Sequence, residues 1–232
     1  MLKKILNTLL PATCVLCSAQ NKREIDLCHL CEADLPWLKN TCQQCAQPLI
    51  ITTHSFCGKC LQHEPSFNRT IALFHYQQPL DYLISSLKFQ QQLLFARLLG
   101  ELLMERLKIH YQYHPLPNCI IPVPLHKKRL QERGFNQAME IARPIAKKLK
   151  LPIDIKNCQR IKFTVAQSDL PADERLKNVK DAFTVNSALK YQHVAIVDDV
   201  MTTGHTIEEL SKELRKSGVK QIDVWCIART NL

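Results

Sequence analysis

Residues 194–206, with the sequence VAIVDDVMTTGHT, decide the fold of this chain. The stretch begins with four apolar residues of a type that favours strands, and these run into two adjacent acids, Asp198 and Asp199. A Thr-Thr-Gly turn follows, and beyond it apolar residues recur with helical spacing from Ile207 until the chain reaches Gly218. The pattern therefore predicts a buried strand, a tight loop and a helix in succession.

The chemistry of this loop points to a phosphorylated sugar. Backbone N–H groups and hydroxyls at the N-terminus of a helix favour a bound phosphate. Two carboxylates at the carboxyl end of a strand accept hydrogen bonds from neighbouring ribose hydroxyls, or help to hold Mg²⁺. A buried strand with a capped turn and no ligand is the alternative, but two adjacent acids without partners are a costly structural choice.

Length and charge narrow the class of protein. The 232 residues suffice for one medium domain and a small accessory one. The formal net charge of +10 suits nucleic acid or polyphosphate partners, although a cationic surface also serves solubility. The chain lacks an apolar run of the ~18 residues that a membrane-spanning helix needs. Residues 1–14 carry a short, broken apolar stretch that predicts an amphipathic helix rather than a signal peptide, so we expect a cytoplasmic protein.

Cysteine spacing predicts two zinc sites in the N-terminal part of the chain. Eight of the eleven cysteines form four C-x-x-C pairs, and each pair presents two thiolates to one tetrahedral ion. The pairs are Cys14/Cys17, Cys28/Cys31, Cys42/Cys45 and Cys57/Cys60. We expect the first two pairs to share one ion and the last two another, with a cross-braced pairing as the alternative. Disulfides are a less favoured alternative because we expect no secretion signal, and four pairs are too many for one thioredoxin-type site.

Other cysteines and histidines have a simpler interpretation. Eight sulfurs already satisfy two ions, so we treat the nearby His29, His54 and His63 as residues that bind no metal. The three remaining cysteines stand alone and are expected to be core thiols. They are Cys119, Cys158 and Cys226.

Hydrophobic periodicity predicts the remaining elements. We expect strands at 71–76, 119–123 and 219–228, and helices at 79–89, 93–109 and 135–150. The helix at 93–109 should bury Leu94, Leu98, Leu102 and Leu103. Pro144 predicts a kink or break near Arg143, because proline removes a helical hydrogen bond. Residues 158–183 are polar and weakly periodic, which is typical of a mobile loop.

A second loop, at residues 124–138, has the opposite charge to the acid pair. Cations gather there after a strand, just before the turn at Gly134, and two amides follow. The residues are Lys127, Lys128, Arg129, Arg133, Asn136 and Gln137. A diphosphate needs such a set of cations and donors, and ligands collect at the carboxyl ends of the strands in α/β sheets. Further candidate contacts follow in the polar segment: Arg160, Gln167, Arg175 and Asn178.

Taken together, these motifs resemble one known family. The loop at 198–206 alone is similar to the PRPP-binding loop of type I phosphoribosyltransferases. The four cysteine pairs, the segment R-L-x-x-R-G-F-N-Q-A at 129–138 and an R-x-x-x-T-x-x-Q segment from Arg160 narrow the resemblance to the ComF family of competence proteins. The resemblance implies an α/β fold of the Rossmann-like type I phosphoribosyltransferase class with a mainly parallel sheet. It assigns residues 66–232 to that domain and residues 1–65 to a double zinc ribbon with two four-cysteine sites.

The resemblance also implies roles for the residues of the two loops. PRPP would be bound by Asp198, Asp199, Thr202, Thr203, Gly204, His205 and Thr206. The diphosphate would be bound by Lys127, Arg129 and Arg133. Asp199 is the candidate catalytic residue. Contacts to DNA or to the ligand would come from Lys128, Asn136, Gln137, Arg160, Gln167 and Arg175. The expected cofactors are two structural Zn²⁺ ions, and Mg²⁺ together with PRPP.

Two functions of different classes follow from this. In the first, the chain handles incoming single-stranded DNA at the inner face of the inner membrane and keeps a PRPP pocket. Its partners would be the DNA-uptake helicase or channel and a recombination mediator. In the second, it is an active phosphoribosyltransferase that acts on a nitrogen nucleophile. We identify no separate base-reading hood in the sequence, which favours the first. Phe135, Phe163 and Trp225 are candidate stacking surfaces. A transcriptional regulator would need an element such as a helix-turn-helix, and the sequence shows none.

Overall fold

The structure is a computed structural model that describes residues 13–50, 53–163, 179–186 and 189–231. Gln167, Arg175 and Asn178 lie outside these ranges, as does the amphipathic helix expected at the N-terminus. Within the described ranges, every helix is too short or too polar to cross a membrane.

Six strands and seven helices make up the described part of the chain. The strands are β1 (Arg69–His75), β2 (Cys119–Pro122), β3 (Cys158–Arg160), β4 (Phe183–Val185), β5 (His193–Met201) and β6 (Gln221–Arg229). The helices are α1 (His29–Ala33), α2 (Gly58–Gln62), α3 (Leu80–Gln90), α4 (Leu93–His110), α5 (Lys127–Arg133), α6 (Gln137–Leu149) and α7 (His205–Lys216).

A parallel sheet in the order β1-β6-β5-β2 forms the centre of the molecule, which confirms the predicted fold class. Residues 194–197 of β5 have no exposed surface, as expected for a central strand with both faces covered. Alternate residues of β5 point to opposite faces: Ala195 and Val197 pack in one apolar cluster, Val194 and Ile196 in the other. Helices α3, α4 and α6 cover the first face, and α7 with the β3–β4 ribbon covers the second.

The two cysteine modules pack on different faces of this sheet. Cys14, Leu27 and Leu35 of the first module join the cluster formed by α3, α4 and α6. The second module contributes its cysteines and the following Phe67 to the opposite cluster. The segment between the modules runs antiparallel to β1, where Leu38 N–H donates to the Leu73 carbonyl at 2.8 Å. The edge of the sheet at β1 is therefore covered rather than open.

Two expectations about the helices were wrong in detail. Leu94 is 44% exposed, whereas Leu98, Leu102 and Leu103 are buried as predicted, because Phe95 and Ala96 occupy the buried side of the first turn of α4. Helix α6 runs without a break across Pro144. The reason is a close approach of two helices: a Cβ at Gly100 would lie 2.6 Å from Pro144 Cγ. Packing of this ring against α4 offsets the missing hydrogen bond.

Two segments predicted as loops contain regular structure. The basic run forms α5, because the His126 side chain accepts from Lys128 N–H at its start and Gly134 ends it with a positive φ of 81°. Residues 158–160 and 183–185, expected in a mobile loop, pair as an antiparallel ribbon. Pairing across a long loop leaves no local periodicity for a sequence pattern to reveal.

A buried carboxylate stabilises the amino-terminal ends of the strands. Asp223 has no exposed surface and lies 3.0 Å from His193 Nε2, and it accepts a hydrogen bond of 2.6 Å from Tyr111. Burial opposes its ionisation, but the hydrogen bonds of His193 and Tyr111 prevail and lower the pKa of Asp223 below its ordinary value. The group therefore stabilises the fold above pH ~4 and loses that contribution as pH falls through its folded pKa.

Replacing Asp223 with asparagine should lower the free energy of unfolding by about 3 kcal/mol at pH 7, because Arg69 and His193 lose a buried counter-charge. Urea unfolding at pH 7 and near pH 3 measures this, and the deficit should shrink at the lower pH. The control is Asp181→Asn, a carboxylate that is 71% exposed and should change stability by less than ~0.5 kcal/mol. A deficit of the same size at both pH values would contradict the ionic origin of the effect.

Candidate functional site

The sequence had suggested that the acid pair follows the strand, but the pair lies inside β5. The strand continues to Met201, so Asp198 and Asp199 occupy its carboxyl-terminal half and are only 9% and 4% exposed. Parallel pairing with β6 sets this position, because its register continues past the acids to Val200 and Met201, whereas the pairing with β2 ends at Val197. Both carboxylates are therefore held by the sheet rather than by a flexible loop.

The turn after β5 brings the N-terminus of α7 to the same place. Gly204 precedes the helix with a φ of +83°, and a Cβ there would lie 2.8 Å from Met201 Cε. Only glycine adopts this turn without strain. Gly204, Thr206 and Ile207 line the space above the acids, so the positive end of the helix dipole faces it.

A cleft of about 340 Å³ opens over these residues. We call it the β5 cleft; Asp198 and Asp199 line it, and Arg129, Arg133 and Arg160 line it from α5 and β3. Acidic and basic side chains thus share one concave surface at the carboxyl end of the sheet. This is where open α/β sheets place their ligands.

Most of the residues predicted for the site lie in this cleft. In addition to the acids and the arginines, it is lined by Gln137, Thr202, Gly204 and Thr206. Thr203 and His205 line a neighbouring cavity of about 350 Å³ beside Cys45, Cys57 and Cys60. Lys127 and Lys128 are exposed on α5 and do not line the cleft.

Asn136 has a structural function that the sequence did not reveal. Its side chain accepts from the N–H groups of Ala138 and Met139 and donates to the Val123 carbonyl at 2.9 Å. It therefore caps α6 and ties it to the end of β2. Gln137 next to it is 7% exposed and accepts a 2.6 Å hydrogen bond from Arg133, which helps to fix that guanidinium in the cleft.

Lys88 was not identified from the sequence, although it is central to the cleft. Its ammonium forms an ion pair with the Asp199 carboxylate, and its side chain is only 22% exposed. A signal was present: Leu80, Ile84 and Lys88 follow one another at helical spacing, and the two apolar residues are fully buried. A lysine at a core position of an amphipathic helix indicates a buried acid as its partner.

The two acids have different ionisation behaviour. Burial and the adjacent Asp199 charge raise the pKa of Asp198 well above its ordinary value. Burial acts in the same direction on Asp199, but Lys88 outweighs it and lowers the pKa of Asp199. Asp199 is therefore the ionised member of the pair, and Asp198 keeps its proton to higher pH.

The arginines of the cleft are crowded and partly removed from water. Burial lowers the pKa of Arg133, and burial together with the Arg129 charge lowers the pKa of Arg160. An anion placed among the three guanidinium groups would relieve this repulsion. Phe89 is 76% exposed at the mouth of the cleft, with the Arg133 guanidinium 5.6 Å from its ring centre.

The eight paired cysteines form two clusters, and each combines neighbouring pairs as predicted. The clusters are Cys14, Cys17, Cys28 and Cys31, and Cys42, Cys45, Cys57 and Cys60. In each cluster the sulfur atoms lie within 4.8 Å of one another. Sulfurs bound to zinc at about 2.3 Å in a tetrahedron stand about 3.8 Å apart. The Cys17–Cys28 and Cys45–Cys57 separations of 3.8 and 3.6 Å fit this geometry.

The ionisation of the thiols supports the same assignment. Although burial opposes it, backbone hydrogen bonds lower the pKa of Cys14 to about 6. The hydrogen bond from Cys45 lowers the pKa of Cys42 to about 4, and the pKa of Cys45 is raised in return. The pKa values of Cys31 and Cys60 are raised by burial and by the neighbouring thiols, so four thiolates could stand together only around a cation, which zinc would supply. Both clusters therefore fit a structural zinc ion, and the two ions would bring folding energy to residues with a small core of their own.

One buried arginine joins the second cysteine cluster to the loop of the cleft. Arg229 is 1% exposed, and its Nε donates to the Cys45 carbonyl at 3.0 Å. Its guanidinium also donates to the carbonyls of Met201, Thr202 and Thr230. A single side chain thus spans a zinc ligand and the start of the Thr-Thr-Gly turn.

The candidate stacking residues have very different surroundings. Trp225 has no exposed surface, so that prediction was wrong, and Phe135 packs against the core. Phe163 is 49% exposed, with Lys128 Nζ and the Arg129 guanidinium 5.6 and 5.9 Å from its ring centre. The His126 ring lies against its edge at 5.3 Å. We call this group of four side chains the Phe163 patch.

Comparisons with known proteins agree with this architecture. The double zinc ribbon domain family matches residues 5–61, and the phosphoribosyl transferase domain family matches residues 133–231. Competence protein F of Haemophilus influenzae is 41% identical over 178 residues, which cover 75% of this chain and 78% of the relative. DNA utilization protein YhgH of Escherichia coli is 35% identical over 209 residues, which cover 88% of this chain and 90% of the relative.

A solved structure, a purine phosphoribosyltransferase from Pyrococcus horikoshii Ot3, shares 22% identity with the chain. The superposition covers 56% of this chain and 70% of that one, with a TM-score of 0.32. At this level of similarity we draw no conclusion about the site.

Proposed function

Because this chain belongs to the ComF family of competence and DNA utilization proteins, we propose that it handles incoming single-stranded DNA during natural transformation and binds a PRPP-type sugar phosphate in the β5 cleft. The observation that carries the proposal is the opposition of charges in the cleft. Two buried acids stand on one side and three arginines on the other, within about 340 Å³. We also propose a domain boundary between residues 65 and 66, since the match to the double zinc ribbon family ends at residue 61 and β1 begins at Arg69.

The sugar phosphate fits the cleft from both ends. Ribose hydroxyls donate to Asp198 and Asp199, and the 5-phosphate meets the N–H groups and hydroxyls around Thr202, Gly204 and Thr206 at the start of α7. A diphosphate on the anomeric carbon would then extend toward the arginines. Mg²⁺ would be held by the acid pair together with the ligand's own oxygens, and its charge would neutralise part of the diphosphate.

Single-stranded DNA fits the Phe163 patch. An exposed aromatic face with cations around it offers stacking for a base and charge for the phosphates on either side. Lys127 on the exposed side of α5 extends the positive surface. Arg129 belongs both to the patch and to the β5 cleft, so a strand that crosses the patch would pass beside the sugar-phosphate ligand.

Phe163→Ala should weaken binding of single-stranded DNA about tenfold, because the stacking surface for a base is lost. The slope of affinity against salt concentration should not change, since no charge is removed, whereas Lys128→Gln should reduce that slope by about one. Fluorescence anisotropy with a labelled oligothymidylate at several salt concentrations measures both quantities. Tyr113→Ala is the control, because Tyr113 is an aromatic residue with 83% exposure in the loop after α4. Equal losses of DNA affinity for Phe163→Ala and for Tyr113→Ala would remove the patch from the proposal.

The proposal also includes a location and partners. We propose a cytoplasmic protein that works at the inner face of the inner membrane, with the DNA-uptake helicase or channel and a recombination mediator as partners. The relatives' names, which refer to competence and DNA utilization, support this setting.

A second candidate function is phosphoribosyl transfer. Phe89 favours it, because its exposed ring at the mouth of the cleft offers a stacking face for a planar nitrogen nucleophile. The nucleophile's electron pair would attack the anomeric carbon, and pyrophosphate would leave with the electrons of the broken C–O bond. Arg129 and Arg133 would stabilise the leaving group, and Asp199 would accept the proton of the nucleophile.

One titration separates these functions. The zinc-loaded protein is titrated with PRPP and Mg²⁺, with and without single-stranded DNA at fixed salt, and pyrophosphate release is followed with a panel of nucleobases. PRPP binding without release, together with salt-dependent DNA binding, supports DNA handling. Release with any one base makes the chain an enzyme, and failure to bind PRPP at all removes the sugar-phosphate cleft.

A further inference from the structure

We propose that Lys88 makes the β5 cleft selective for a sugar that carries a diphosphate: it pairs with Asp199 and transfers to the diphosphate when ribose hydroxyls occupy the carboxylates. This inference rests on the proposed sugar-phosphate function. The ligand class it names is a ribose 5-phosphate with a diphosphate on the anomeric carbon, in contrast to the same sugar without that group.

The backbone of Lys88 is held in place by the core, whereas its side chain can change conformation. It lies in the last turn of α3, and the neighbouring Leu83, Ile84 and Leu87 are buried in the core to within 1%. Lysine has a four-carbon stem and three rotatable donors, so its ammonium can exchange one anion for another without moving the helix.

The surroundings of Lys88 contain both anion positions. It lines the same cleft as the acid pair and the arginines of α5. The next residue, Phe89, has its ring 5.6 Å from the Arg133 guanidinium, so the end of α3 lies beside the cations expected to bind the diphosphate. The ammonium thus lies at Asp199, in the same cleft as the arginines proposed to bind the diphosphate.

Charge balance then decides the selectivity. The Lys88 ammonium and the Asp199 carboxylate neutralise one another. When ribose hydroxyls donate to Asp199 they replace the donors that Lys88 supplied, and a largely buried ammonium is left without a hydrogen-bonded anion. A diphosphate provides that anion, whereas ribose 5-phosphate leaves this end of the cleft without one. Lys88 should therefore favour the diphosphate ligand and oppose the simple phosphate.

The test compares PRPP with ribose 5-phosphate by calorimetric titration in Mg²⁺. Lys88→Met should weaken PRPP about 10- to 100-fold, the range of a lost charged hydrogen bond, and should leave ribose 5-phosphate unchanged or bound more tightly. Lys88→Arg keeps the charge and should retain most of the preference. Lys108→Met is the matched control, because Lys108 also lies in the last turn of its helix and pairs with a carboxylate, Glu105 at 2.7 Å, but is exposed.

The ratio of the two affinities separates the possible results. Equal weakening of both ligands by Lys88→Met, or no weakening of PRPP, would overturn the inference, since a purely structural lysine changes both alike. If Lys88→Met does not fold, the same ratio of the PRPP and ribose 5-phosphate affinities is measured for Lys88→Arg. Wild-type protein that binds neither ligand would refute the sugar-phosphate function itself, which is a different result from a changed ratio.

Discussion

Replacing both Asp198 and Asp199 with asparagine should weaken the binding of PRPP by at least about 100-fold, because both carboxyl groups that accept from the ribose hydroxyls are replaced by amides. Calorimetric titration measures the loss, and circular dichroism shows whether the sheet is intact. Both carboxylates are held inside β5 by strand pairing, so the fold should survive. Glu105→Gln is the control, a carboxylate that is 61% exposed on α4 and should leave PRPP binding unchanged. Undiminished PRPP binding in the double variant would show that the ligand occupies another site.

One of these acids, Asp198, should cost stability, and Asp198→Asn reveals this. The pKa of Asp198 is raised in the folded state, chiefly by burial, so the unfolded chain ionises it more readily. The folded state is therefore disfavoured progressively as pH rises above ~4, and asparagine removes this cost. We expect the variant to melt at a higher temperature than wild type at pH 8 and to lose this advantage toward pH 4. An advantage that does not depend on pH would contradict the ionic explanation.

Arg229→Met should lower the free energy of unfolding by about 3–5 kcal/mol, the largest stability effect that we expect from a single side chain. Four buried carbonyl groups would lose a donor, and one of them belongs to the zinc ligand Cys45. The variant should therefore also release zinc from the second cluster sooner in a chelator, because the segment that carries Cys45 is no longer tied to the sheet.

Urea unfolding and the time course of zinc release test this prediction together. Arg229→Lys should recover only part of the stability, since lysine cannot reach four carbonyls in the plane of a guanidinium. Arg97→Met is the control: that side chain is 57% exposed and pairs with Glu101 on one helix, so its loss should cost less than ~0.5 kcal/mol. Unchanged stability of Arg229→Met would show that the loop and the cysteine cluster are held independently.

Local patterns in the sequence were enough to predict the fold and about half of the residues that line the β5 cleft. Apolar periodicity located the central strands and the long helices, and cysteine spacing led to both metal clusters. The acid pair and Gly204 were visible because they adjoin one strong strand signal. The role of Arg229 was not visible, since it depends on a contact with the distant Cys45, and the core position of Lys88 did not reveal that Asp199 is its partner. Pairing between side chains so far apart leaves no period or spacing in the sequence.

Errors of the opposite kind came from residues whose type suggested a ligand. Asn136 seemed available to a diphosphate, but the N-terminus of α6 needs its oxygen, and Trp225 seemed available to a base, but its indole donates to Tyr111 in the core. The type of a residue shows which interactions its side chain can make. The backbone around it decides which of these interactions has already been made.

The placement of the two ribbons on opposite faces of one sheet has a consequence for the cell. Loss of metal from the cysteines would loosen apolar surface on both faces and also the segment that covers the β1 edge. Exposed apolar surface combined with an open strand edge favours aggregation and degradation. The amount of intact protein would then follow the zinc supply, so that a bacterium short of zinc would lose this protein at the level of turnover, before any change in the transcription of its gene.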